Sequence, residues 1–394
     1  MPNKMKSLLK SLFLLLTLPL LLACHDDNLA DTLKRYPSLA EEQKQQVIFL
    51  ENMRNYEPIS CLQPKDNHYL VTFQNKTQVT LNANLTPLLT LDENGHWLLN
   101  GEDTGLAPNP DSASTVLPYL TVDDTNHWQL NGQDTHLVNP EADTLRLLYK
   151  NPHIFVLALA KHHYSYTAIL SDYSLLPTMQ SAALDTITLR HILPATPLQY
   201  EGRGANFVGS SSMAGFVRID NITPQTLPQL LCDRIGMWHH NFAIGGSTIA
   251  PVPKKVQFIS QLNKIGTPLN LLFVGSIGGN DFANHINEFA FRSAMQEMCD
   301  YIQHKFDVPV FFLTYHNTPA AHQPHPLVIK LYRAIAQEYA ERYGFYLVDG
   351  EQIPLPDTET EGPQNPWFGD DMHPSERGYQ LWADWLAKLL TQKE

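Results

Sequence analysis

Cysteine is scarce in this chain, with four among 394 residues and no pair at CxxC spacing. That excludes a disulfide-stapled scaffold and a structural zinc site of the common kind. Basic residues are also few: 27 Lys plus Arg stand against 40 Asp plus Glu, a formal net charge of −13. Nucleic-acid affinity comes mostly from cationic side chains that displace counterions, so no nucleic-acid partner is expected. The apolar run at 12–22 is interrupted by Thr17 and Pro19 and falls short of the ~20 residues that a bilayer-spanning helix needs. What remains is a globular balance, 43% hydrophobic and 17% charged, which rules out a disordered or collagen-like chain. At ~150 residues per domain the length suits about two domains.

The beginning of the chain has the layout of a secretory signal: Lys4, Lys6 and Lys10 precede the apolar run. The run ends Leu21-Leu22-Ala23-Cys24, which resembles the lipobox of a bacterial lipoprotein. That resemblance implies a signal peptide at 1–23, lipidation at Cys24 and a membrane-anchored protein of the bacterial cell envelope, held by several acyl chains. His25 follows Cys24, which resembles the pattern of outer-membrane sorting. Removal of the signal takes three lysines and no acid, so the mature chain stands at −16.

Residues 24–60 are polar, with a helical patch around 39–53, and read as a tether. Between 61 and 198 the texture changes to short alternating runs punctuated by Asn-Gly and Pro, the pattern of a β-rich domain. It contains an internal repeat: residues 90–106 match 121–137 at a constant offset of 31. Each copy places Asn-Gly (Asn100-Gly101, Asn131-Gly132) after a short apolar strand carrying a tryptophan. Asn-Gly tolerates the positive φ angles of a type I′ turn, so two similar hairpins are expected. Trp97 and Trp128 stand at equivalent positions, either as possible sugar-binding platforms or as core of the repeat.

From 199 onward strand and helix patterns alternate. Strands are predicted at 205–208, 240–243, 269–274, 308–314 and 345–348, and helices at 226–234, 288–304, 328–343 and 376–390. The continuous apolarity of Leu271-Leu272-Phe273-Val274 and Val310-Phe311-Phe312-Leu313 suits central parallel strands covered on both faces. In an open parallel sheet the site lies at the carboxyl ends of the strands. There stand Gly209-Ser210-Ser211-Ser212-Met213-Ala214-Gly215, then Gly245-Gly246-Ser247, then Gly278-Gly279-Asn280-Asp281, and before the last helix Asp370-Asp371-Met372-His373. A serine in a glycine-bounded turn, glycines free to aim backbone N–H groups, an asparagine and an Asp–His pair are the parts of an acyl-transfer site.

This set, in this order, resembles the SGNH (GDSL-like) hydrolase family. The resemblance covers about half the chain, 199–394, and implies a three-layer α/β/α parallel sheet preceded by a smaller β-rich domain. Carried over residue by residue, it implies Ser211 as nucleophile, His373 as base and Asp370 as its orienting acid. The implied oxyanion donors are Ser211, Gly246 and Asn280. No metal and no cofactor is called for. Ser210 stands where the family usually has aspartate, and Ser210 and Ser212 flank the proposed nucleophile, as Asp371 flanks Asp370.

The expected activity is that of an extracytoplasmic carboxylic ester hydrolase, with an acetylated glycan as the preferred substrate by analogy with two-domain sugar esterases. The alternatives are a lipase or thioesterase acting on acyl chains, or an inactive surface lipoprotein that binds carbohydrate. An acyl-chain enzyme calls for an apolar cleft wall, whereas the segments expected at the site (247–248, 284–287 and 316–325, with His316, His322 and His325) are mostly polar. His239 and His240 have no carboxylate or cysteine at ligand spacing and read as a structural or surface pair. An acidic surface repels polyanions, which favours neutral acetylated glycans. Cys232 and Cys299 fall on predicted helices, and a disulfide between them depends on geometry that sequence does not carry.

Overall fold

A computed structural model describes residues 34, 36–108, 117–151, 153–172, 179–319, 326–356 and 365–392. Cys24 lies outside the described residues, as do His322 and His325. Among the described residues no helix is long and apolar enough to cross a membrane.

Helix α1 (Pro37–Arg54) corrects the reading of 24–60 as a tether. Leu39, Phe49, Leu50 and Met53 form a stripe at helical spacing, and all four are buried against the strands that follow. Gln46 donates to Thr86 Oγ1 at 3.1 Å and accepts from Val156 N at 3.2 Å. The helical patch expected around 39–53 is thus present, and its apolar face packs into the folded body instead of standing in a tether.

The next elements form three antiparallel or mixed sheets. Strands β1 (Ile59–Lys65), β2 (His68–Phe73) and β3 (Gln78–Asn82) make a meander. The first repeat copy supplies β4 (Leu88–Leu91), β5 (Trp97–Leu99) and β6 (Glu102–Asp103). The second supplies β7 (Leu120–Val122), β8 (His127–Leu130) and β9 (Gln133–Val138). Helix α2 (Ala142–Tyr149) follows, and then β10 (Val156–Lys161), β11 (Ser165–Leu170) and β12 (Met179–Gln180). Strand β10 joins the first copy's sheet by running parallel to β4.

Both copies turn at Asn-Gly, with φ of 54° and 88° at Asn100 and Gly101 and of 54° and 76° at Asn131 and Gly132. These are the positive angles a two-residue type I′ connection requires. The repeated acid is structural as well. Asp92 accepts from His96 N at 2.7 Å, and Asp123 accepts from His127 N at 2.9 Å, closing equivalent turns. The tryptophans are not sugar platforms. Trp97 and Trp128 are 3% and 2% exposed, enclosed in one apolar cluster with Leu99, Leu130 and Leu145. A sugar ring needs an open indole face, and period-two alternation points both tryptophans inward.

The second half is a five-stranded parallel sheet: β13 (Gly204–Gly209), β16 (Trp238–Asn241), β17 (Leu271–Ile277), β18 (Val310–Thr314) and β19 (Tyr346–Val348), in spatial order β16-β13-β17-β18-β19. The β14 (Phe216–Arg218) and β15 (Asn221–Ile222) hairpin stands apart from it. Helices cover both faces. The short helix α3 (Ser211–Ala214) follows β13, and α4 (Leu227–Ile235) lies on one face with the C-terminal helix. The other face carries α5 (Phe258–Leu262), α7 (Glu288–Lys305) and α8 (Pro326–Tyr343). Helix α6 (Gly279–Ala283) caps β17, and α9 (Glu376–Thr391) ends the chain's described part. Phe207, Phe273 and Phe311 stack across three neighbouring strands at centroid distances of 4.7 and 4.9 Å, a ladder that fixes the sheet's register. Cys232 and Cys299 are buried on opposite faces of this sheet and unpaired.

The two halves are joined tightly. Residues 182–198, counted above with the β-rich part, already lie on the hydrolase-like half: Leu184 is in its core and Ile192 pairs with Leu347. Glu288, fully buried at the start of α7, accepts from Tyr164 N (2.8 Å), Ser165 Oγ (2.8 Å) and Arg292 Nε (2.7 Å). Phe289 packs against Trp97 at 5.6 Å between rings. Removing one partner of a buried charge network strands the others. Glu288→Ala is therefore expected to destabilise the protein by ~3 kcal/mol in denaturant unfolding, with Glu288→Gln milder. A loss below about 1 kcal/mol for the alanine variant would refute this account of the joint.

Candidate active site

Because the five strands are parallel and in register, their carboxyl ends lie together and the loops that leave them converge. Strand β13 ends at Gly209, where added side-chain volume would meet Gly275 O at 2.5 Å and Met213 Cγ at 2.7 Å. The chain then turns into α3. Of the three serines, Ser210 and Ser212 are 2% and 1% exposed, while Ser211 faces the cleft. Its Oγ lies 2.9 Å from His373 Nε2.

His373 in turn lies against Asp370, with Nδ1 at 3.0 Å from Oδ1 and 2.9 Å from Oδ2. Asp370 also accepts from the backbone N–H groups of Met372 (2.9 Å) and His373 (2.7 Å), so one carboxylate both closes the turn and orients the ring. Partial burial pushes the Asp370 carboxyl up. The hydrogen bonds from the His373 side chain and from these two backbone groups overcome it, and the carboxyl is held below its usual range. With Asp370 ionised, the proton belongs on Nδ1 and Nε2 is free to accept from the serine hydroxyl.

The β14–β15 hairpin braces this turn, which no sequence motif announced. Ile219 N donates to Asp370 Oδ2 at 3.2 Å and Arg218 Nε to Gly369 O at 2.9 Å. The ring of Phe216 lies 5.9 Å from that of His373.

The loop after β16 places Gly246, at φ 74°, on the cleft. Asn280 lines it too, with one amide hydrogen donated to Ser247 O at 2.8 Å and the other without an acceptor among the described residues. Next to it Asp281 is buried and accepts from Ile249 N and Ala250 N. Burial pushes its carboxyl up to about 6, against the pull of those two backbone groups. The Asn-Asp pair thus divides its work, the first side chain facing the cleft and the second anchoring the loop that carries Gly246.

Residues 207–381 match the model of the GDSL-like lipase/acylhydrolase family. This part of the chain is a domain of that family. Members of the family are esterases and acylhydrolases. Solved structures to which it is similar include a lipase/acylhydrolase from Enterococcus faecalis, 20% identical over 48% of this chain and 96% of that one, with a TM-score of 0.38. Another is a member of the lipolytic G-D-S-L family from Veillonella parvula, 16% identical over 47% and 96%, TM-score 0.38. A third is a family two carbohydrate esterase from Clostridium thermocellum in complex with cellohexaose, 16% identical over 50% and 66%, TM-score 0.36. No curated protein matches the chain.

The cleft has a volume of about 360 Å³. Its wall differs from the polar lining that sequence suggested. Phe216, Ile219, Phe282, Ala283, Tyr315 and Met372 line it, and Lys255 is the one lysine or arginine among the described lining residues. Ser247 and Thr248 are buried, because their hydroxyls turn back to Ile244 O and Ala250 O. His316 is buried as well, ringed by Tyr315, Phe368 and Trp382.

Burial first, and the neighbouring His373 and Arg333 after it, push the His316 imidazole down to about 3. An unfolded histidine gains its proton near ~6.5, so below that pH the unfolded state is favoured and folded stability falls. Asp281, with its carboxyl raised, acts in the opposite direction over part of the range. The comparison that isolates His316 is therefore with His316→Phe. Between about pH 6 and 4 the wild type should lose stability relative to that variant by ~1.4 kcal/mol per pH unit, one proton's worth. Parallel stability curves would exclude this role.

Proposed function

We propose that this chain is a serine esterase that works through Ser211, His373 and Asp370 and forms an acyl-enzyme. The observation that carries the reading is the continuous run of short hydrogen bonds from Ser211 Oγ to His373 and on to Asp370. His373 Nε2 takes the hydroxyl proton as Ser211 Oγ attacks the ester carbonyl, and returns it to the departing alcohol. Water, activated by the same imidazole, then releases the acid. The backbone N–H groups of Ser211 and Gly246 and the second Asn280 amide hydrogen receive the charge on the carbonyl oxygen. A hydrolase fold reduced to carbohydrate binding has no use for this alignment.

For the substrate, the reading is a short acyl ester, with the O-acetyl group of a neutral glycan as its first form. The cleft volume supports it, being near the lower end of the ~300–1,000 Å³ typical of small-molecule sites. The second reading, hydrolysis of longer acyl chains, is favoured by the apolar wall of Phe216, Ile219, Phe282 and Met372. A series of nitrophenyl esters of rising chain length, followed by acetate release from acetylated xylan, peptidoglycan and sialic acid, separates them. Falling kcat/KM beyond butyrate with acetate release from one polymer supports the first, and a maximum at eight carbons or more supports the second. In either case Ser211→Ala should lose both turnover and labelling by a fluorophosphonate probe, and Asn280→Ala should lose ~10²–10³ in kcat. Labelling retained by Ser211→Ala would sink the assignment.

The reading also includes a lipid anchor at Cys24 in the bacterial cell envelope, at the outer membrane, supported by the Leu21-Leu22-Ala23-Cys24 sequence. Cys24→Ala should move the protein from the membrane fraction to the soluble one. Unchanged fractionation would refute it.

A further inference from the structure

One buried side chain touches both the strand that presents the nucleophile and the loop that carries the oxyanion glycine. Gln261, on the short helix α5, is fully buried. Its Oε1 accepts from Gly209 N at 2.8 Å, and its Nε2 donates to Gly209 O and to Ser247 Oγ, each at 2.9 Å. Gly209 stands two residues before Ser211, and Ser247 directly follows Gly246. Ser247 O in turn accepts the amide of Asn280 at 2.8 Å, and Ser247 Oγ donates to Ile244 O at 2.7 Å. A single hydrogen-bond chain, Gly209–Gln261–Ser247–Asn280, thus ties together all the segments that carry the nucleophile and the three oxyanion donors.

Each polar atom of the Gln261 amide is used. Oε1 has its donor, and the two Nε2 hydrogens have an acceptor each. A buried amide with every bond made in one geometry tolerates little displacement, since any shift strands a polar group in an apolar surrounding. The bonds to Gly209 are two-sided, like those of a neighbouring strand, and they stand at the point where β13 leaves the sheet and the chain turns toward Ser211. The bond to Ser247 sets the loop's distance from that same point. The two segments also touch directly, Ile244 N donating to Gly209 O at 3.1 Å and Asn241 Nδ2 to Met213 O at 2.9 Å, and Gln261 adds a side-chain tie that reaches past these to Ser247, next to Gly246.

We propose that Gln261 is a positioning residue that locks the nucleophile and the oxyanion site at a common spacing, and that it acts on the rate of acylation and not on substrate binding. The proposal rests on the Ser211 reading above. It touches no reacting atom, so its effect runs through geometry, where displacements of about 1 Å cost up to ~10²-fold in rate.

Gln261→Met keeps the volume and removes all three hydrogen bonds. The expected result is a fall in kcat of about 10- to 100-fold with KM within about threefold, and an equal slowing of fluorophosphonate labelling. Ser247→Ala removes the link to the loop together with the bond to Ile244 O, leaves both Gln261 bonds to Gly209, and should give a smaller fall of the same kind. It decides the matter if Gln261→Met does not fold. A residue that merely supports the fold would act independently of the oxyanion donor. Gln261→Met should instead cost markedly less in an Asn280→Ala background than in the wild type. Folded variants with kcat within about twofold of wild type, or full multiplicative loss in the double variant, would overturn the proposal. Hydrolysis by the wild type together with its absence in Ser211→Ala keeps this outcome separate from a failure of the Ser211 assignment.

Discussion

Everything in the site depends on the register of five parallel strands. Their hydrogen-bond pairing sets Phe207 beside Phe273 and Phe273 beside Phe311, and the rings on that face stack only if the strands stay level. A slip by one residue would send the slipped strand's ring to the opposite face and take Gly209 away from Gly275. With the register held, the loops after β13, β16 and β17 start at one height. Ser211, Gly246 and Asn280 then meet without any long excursion of the chain. The acid–base turn comes from much later in the sequence, and it meets the others because Tyr379 on α9 donates to Phe216 O at 2.7 Å, tying that helix to the bracing hairpin.

Much of this was legible in the sequence, for a physical reason. Buried parallel strands must be apolar at every position, and the segments 271–274 and 310–313 are. Glycines mark places where backbone must pass close to other atoms, and so the turns at Gly209, Gly246 and Gly278 stood out. Polar caps hold the helix starts in the structure: Thr226, Asn287 and Ser375 each accept from the backbone three residues on. The predicted helices at 226–234, 288–304 and 376–390 lie within one residue of α4, α7 and α9.

What was not legible shares a different property. Trp97 and Trp128 repeat at equal spacing whether they face a ligand or a core, since a repeat preserves environment and does not reveal it. The polarity of Ser247, Thr248 and His316 suggested a wet cleft, but all three are buried inside the protein. Gln261 lies in no motif. Its importance comes from two contacts 52 and 14 residues away in sequence, and such pairings exist only once the chain has folded. The hairpin that steadies Asp370 is of the same kind, joined to it across 151 residues.

The buried carboxylate of Glu288 has a further meaning for how the molecule meets its surroundings. It fastens the β11 hairpin to the first turn of α7, and that turn begins seven residues after Asp281, the anchor of the oxyanion loop. With Phe289 set against Trp97 at the same joint, the β-rich half cannot swing like a module on a flexible string. The cleft keeps one fixed bearing relative to the whole body, so the direction from which an ester can approach is decided by how the β-rich half is held.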